Sequence, residues 1–243
     1  MTAVSALITP WYRRTRARPG DGPEQPGSVA PTHILDYETP GIARLVSRSR
    51  DLAQSAERVA VLQAAHSIIR DEVRAVYAME EGTPASRTLA RGFGSCSQRL
   101  AILESAARAI GVATRVRALL IDRSFWYPRF PHIGPALPDR ILLAWPEFNI
   151  EEWRPASELF GAIGCRGGGS FTNSGSETLF EAAGRCAVDW DGRAEDNAYD
   201  LSRFIRADYG YFSNRDDAFR QLGQTLCAPS RAIADPILRR ISA

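Results

Sequence analysis

The chain has no lysine, so all 30 of its basic side chains are arginine. That excludes Schiff-base chemistry on an internal amine, and the arginine usage reads as the codon bias of a GC-rich bacterial genome. Histidine is scarce, with three residues, which leaves few imidazoles to serve as a base or a ligand. The four cysteines, Cys96, Cys165, Cys186 and Cys227, have neither Cys-x-x-Cys spacing nor histidine neighbours. The sequence therefore implies no metal and no cofactor. No apolar window approaches the roughly 18 residues of a membrane span. The run Tyr12-Arg13-Arg14-Thr15 leads into Pro19-Gly20-Asp21-Gly22-Pro23 rather than the apolar stretch of an export signal. A reducing cytoplasm with thiol cysteines is the expected setting. The formal net charge is +2, without a sustained basic block. This gives no case for nucleic acid or a membrane surface and favours a small-molecule or protein partner, with the oligomeric state left open.

What is present is an ordinary globular composition, 44% hydrophobic and 24% charged over 243 residues, enough for one sizeable core. Residues 1–31 read as a flexible Pro/Gly/Arg-rich leader, and residues 32–243 as a single domain with its core at 36–160 and an irregular extension at 161–243. A Thr39-Pro40 start introduces a helix over 42–51, and Ser55 caps a longer one reaching about Tyr77. On the latter Val59, Leu62, His66, Ile69, Val73 and Val76 form one apolar stripe. A histidine in such a stripe reads as a packed, hydrogen-bonded core residue.

Cys96 follows the glycine turn Gly92-Phe93-Gly94-Ser95 and begins a helix whose apolar face continues through Leu100, Leu103, Ala107 and Ile110 to a stop at Gly111. Helix-start amides favour the thiolate, so a lowered pKa is expected at Cys96. A strand follows at 114–121 and a second apolar run at 140–148, before a turn at 149–152. Between them, Asp122 to Asp139 carries four prolines together with Phe125, Trp126, Tyr127, Phe130 and His132, the composition of a lid or a hydrophobic plug. Cys165 to Ser170 lacks the Gly-Lys-Ser/Thr ending of a phosphate loop and reads as a mobile loop. A last helix spans 216–222.

The order of Ile69 to Val73, Ala85 to Leu89, Gly92 to Gln98 and Ala107 to Val116, continued by Ala144-Trp145-Pro146-Glu147-Phe148 and Trp153-Arg154-Pro155, resembles the transglutaminase-like superfamily. The resemblance covers about residues 36–160, with weaker likeness at Trp190 to Arg193 and Asp208 to Gly210. It implies an α/β (α+β) fold with a papain-like core, N-terminal helices and a nucleophile helix packed on an antiparallel sheet. It also implies Cys96 as nucleophile. The family's histidine falls at Leu143, two residues before Trp145, and its third member falls near Ser157. Leucine can neither accept a proton nor orient a thiolate.

Three readings follow. In the first, Cys96 forms an acyl thioester for amide transfer, hydrolysis or condensation (amide formation) on a small-molecule or acyl/peptidyl substrate. His132 is then the base delivered from the aromatic loop, Trp126 and Trp145 are pocket walls, and Gln98 or the Cys96 amide is the oxyanion donor. If a carboxylate replaces the histidine, Glu147 is the first candidate, since it lies on the strand face of Leu143. In the second, Leu143 and the tryptophan-rich loop make a dry pocket for cyclisation or rearrangement without a nucleophile. In the third, the old cleft binds a ligand without catalysis. The nucleophile helix puts the enzyme readings ahead.

Overall fold

The computed structural model describes residues 25–130, 137–163, 171, 173, 177–186, 188–193 and 200–241. Helix α1, Pro40–Ala53, starts with proline at a position whose amide needs no partner, and ends where Gln54 enters the left-handed region at φ 48°. Helix α2, Arg58–Glu72, buries Val61, Leu62, Ala65, Ile68 and Ile69. It does not run to Tyr77. Val73 turns extended, and strand β1, Arg74–Ala75, pairs in parallel with β2, Phe93–Gly94. Val73 and Val76 remain buried, so the helical spacing of the apolar stripe outlasts the helix. Ser55 stands outside α2, its hydroxyl accepting from the Glu57 amide at 3.0 Å.

Helix α3, Ala85–Arg91, ends at Gly92, φ 70°, and two residues of β2 lead into α4, Cys96–Ala109. α4 is the central rod of the molecule. It packs against α1, α2, α3, the sheet and helix α5, Leu179–Arg185, and even its Arg99, Glu104 and Arg108 are buried. Its end is a Schellman arrangement, with Gly111 N–H donating to Arg108 O at 3.0 Å and Val112 N–H to Ala107 O at 2.9 Å. Arg108 then ties this end to the sheet through Thr114 Oγ1, 2.7 Å, and Ser213 O, 2.9 Å.

The sheet follows. Strands β3, Thr114–Asp122, β4, Arg140–Ile150, β5, Glu152–Pro155, and β6, Ile205–Phe212, form an antiparallel sheet in the order β5-β4-β3-β6. Ser28 adds a bridge to Thr114. The turn from β4 to β5 places Glu151 at φ 66°. The stretch 161–243, expected to hold one helix, supplies α5, β6, α6, Arg215–Leu222, and α7, Ala228–Leu238. The chain is thus an α+β protein, its main core lying between α4 with its helical neighbours and the sheet. Among the described residues no helix is long and apolar enough to cross a membrane. His132 and the run Cys165 to Ser170 lie outside the described residues.

Candidate functional site

Cys96 is the first residue of α4, and the sequence around it builds a complete cap. Ser95 Oγ accepts from the Gln98 amide at 3.2 Å, while Gln98 Oε1 accepts from the Ser95 amide at 3.0 Å. Gly94 is required by crowding, since a Cβ there would sit 2.6 Å from Thr88 Cγ2. The tight turn and the reciprocal cap fix where the thiol points.

Cys96 lines a cavity of about 400 Å³, near the lower end of the roughly 300–1,000 Å³ usual for small-molecule sites. Cys96 and Ser97 line it from α4, Leu142 and Leu143 from β4, Trp126 and Phe130 from the segment after β3, and Ala234, Ile237 and Leu238 from α7. The lining is mostly apolar, with a few polar groups set into it. Arg129 is one, locked by donating to Asn173 Oδ1 at 2.6 Å, to the Tyr77 hydroxyl at 3.1 Å and to the Glu177 carbonyl. Glu81 is another: its Oε2 accepts from Ser97 Oγ at 2.6 Å.

The surroundings overturn the lowered pKa expected at Cys96. Burial pushes the thiol up to about 12, and the Glu181 carboxylate adds to the rise. The Arg99 and Arg215 guanidiniums and a hydrogen bond from the Phe180 backbone oppose it and lose. A helix-start dipole is worth about a kcal/mol, which is smaller than the cost of placing a thiolate in an apolar cavity. Cys96 is a neutral thiol at pH 7.

Glu80 and Glu81 are adjacent and driven apart. Burial raises Glu80, but bonds from Gln224, Arg231 and the Gly82 amide outweigh it and leave the group below its ordinary value. Burial raises Glu81 and prevails over Ser97 and Arg215, with the Glu80 and Asp235 carboxylates reinforcing it. Behind Glu81 runs a buried chain. Arg215 donates to Ser97 Oγ at 2.8 Å and to Ala144 O at 3.1 Å, and pairs with Glu104.

The cavity brings together three of the residues expected from sequence: Cys96, Trp126 and Leu143. The others stand elsewhere. Gln98 spends its side chain on the cap, on Arg91 and on the Glu80 carbonyl, to which its amide donates at 2.8 Å. Glu147, although on the Leu143 side of β4, pairs with Arg115 at 2.8 Å and accepts from the Tyr211 hydroxyl at 3.0 Å; Arg115 in turn stacks on Trp153 and Tyr211. Trp145 is buried with its ring 5.7 Å from that of Trp190. Ser157 is buried in the short 3-10 turn Ala156–Glu158. His66 is the core residue that its stripe implied. It stacks on Phe180 at 4.3 Å, its Nε2 lies 2.5 Å from the Phe180 carbonyl oxygen, and burial lowers its pKa to about 4.

Glu81, Tyr77 and Arg129 carried no signal of their own in the sequence. Glu81 leads into a Gly-Thr-Pro turn, where a carboxylate reads as solvated. Among the described residues no group of His, Cys, Asp and Glu could hold a metal ion. No family model matches the chain, and searches of curated proteins and of solved structures found no match either.

Proposed function

We propose that this chain uses a transglutaminase-like scaffold to bind a small, largely apolar molecule, with Cys96 as a neutral wall of the site rather than its nucleophile. The observation that carries the reading is that Cys96 and Leu143, the positions resembling the family's thiol and its base, line one apolar cavity. A hydrocarbon side chain at the base position removes the proton acceptor and adds surface that a ligand can cover. The raised pKa of the thiol agrees with this division of labour.

Binding of the neutral fluorescent probe N-phenyl-1-naphthylamine tests the reading. The full chain should take up the probe, Cys96→Ala should bind it within about three-fold of wild type, and Ala234→Trp, which fills the cavity from α7, should weaken it at least about ten-fold. Undiminished binding by a folded Ala234→Trp variant would place the probe elsewhere and remove the support.

Acyl transfer through Cys96 is the second reading, favoured by the capped helix start that places Cys96 in the cavity wall. It requires a base for the thiol. Loss of an acyl-transfer activity on Cys96→Ser, with burst kinetics in wild type, would establish it over the binding reading.

A further inference from the structure

Glu81 is a carboxyl group that lines an apolar cavity. Its main chain is fixed, the amide donating to Gln224 Oε1 at 2.8 Å. Its Oε2 is fixed as well. Ser97 Oγ already accepts from Arg215, so the Ser97 hydrogen is directed at Glu81 Oε2. Arg215 is held by Glu104 and the Ala144 carbonyl, both buried. The chain Glu104, Arg215, Ser97, Glu81 therefore ends with one oxygen committed as an acceptor. Among the described residues the other oxygen, Oε1, has no hydrogen-bond partner.

Glu81 lines the cavity with this oxygen uncommitted, and pockets of this kind use a few polar groups to orient otherwise apolar ligands. We propose that Glu81 is the polar anchor of the cavity, donating through its carboxyl O–H to an acceptor oxygen, such as a carbonyl, on a neutral apolar ligand. The inference rests on the cavity being a small-molecule site, and it adds the chemical class of the molecule. The mostly apolar lining around Glu81 suits a neutral molecule. The raised pKa of Glu81 agrees, because the acid form is the one that donates.

The test is a matched pair of probes, 4-phenylcyclohexanone and phenylcyclohexane, displacing N-phenyl-1-naphthylamine from the full chain at pH 7. Glu81→Gln keeps an N–H donor, and Glu81→Leu has none. The ketone-to-hydrocarbon affinity ratio should fall about three- to ten-fold in Glu81→Leu and stay within about two-fold of wild type in Glu81→Gln. Should Glu81→Leu fail to fold, the infrared carbonyl stretch of the bound ketone decides. It should lie below its value in hexane in wild type and move on Glu81→Gln, as a change of donor requires. An unchanged ratio in a folded Glu81→Leu, or a stretch that Glu81→Gln does not move, overturns Glu81 as anchor while leaving the cavity reading intact. Failure of the naphthylamine and both cyclohexyl probes to bind overturns both.

Discussion

Cys96, at the start of α4, and Leu143, within β4, line the same cavity. Leu143 brings hydrocarbon, not a proton acceptor, to the cavity that the thiol residue lines.

Iodoacetamide alkylation of Cys96, followed by peptide mass spectrometry, should therefore be slow at pH 7 and rise steeply in the alkaline range, toward the pKa of about 12. Leu143→His brings an imidazole to the cavity and should accelerate the reaction at pH 7 about ten-fold or more. Alkylation that is already fast at pH 6 would contradict the burial argument.

His66 sets a pH dependence whose sign follows from its depressed pKa. The folded protein holds it neutral down to about pH 4, whereas the unfolded chain takes up a proton near pH 6.5. Between these values the unfolded state binds more protons, so stability falls as pH falls. The loss approaches about 3 kcal/mol at the lower end. In urea unfolding from pH 7 to pH 4, His66→Phe should show a shallower decline than wild type.

Arg215 and Glu104 form a buried pair whose members depend on each other. Arg215→Met should cost about 3–5 kcal/mol, because it strands a carboxyl group in the core, and Arg215→Met with Glu104→Leu should recover a large part of that loss. A double-mutant cycle in urea measures the coupling.

Asp235 anchors the helix that walls the cavity. It accepts from the Met79 amide at 2.7 Å and the Glu80 amide at 3.1 Å, while Ala234, Ile237 and Leu238 of the same helix line the cavity. Asp235→Ala should cost about 1–3 kcal/mol and speed alkylation of Cys96 by loosening α7.

The sequence disclosed those parts of the fold that have local causes. The Thr39-Pro40 start, the Gly111 stop and the runs that became β3 and β4 are punctuated by residues whose backbone demands are specific. The end of α2 was hidden because Val73 and Val76 are buried with or without a helix. Strand β6 was hidden too, since Ile205 to Phe212 mixes charged, glycine and aromatic residues and owes its state to pairing with β3. At the site, Cys96, Trp126 and Leu143 were legible as a group. Glu81 was not, because its place in the cavity depends on Ser97, Arg215 and α7 arriving from distant parts of the chain. The thiol's pKa was misjudged for the same reason: the helix start is a local feature, and the apolar cavity is a tertiary one.

The most direct measurement is the affinity of N-phenyl-1-naphthylamine for wild type and for the Cys96→Ala and Ala234→Trp variants, each confirmed folded by its melting transition. The account predicts saturable binding to wild type, retained within about three-fold in Cys96→Ala and weakened at least about ten-fold in Ala234→Trp, where the new indole fills the cavity. No saturable binding to wild type, or equal binding after the cavity is filled, would contradict it.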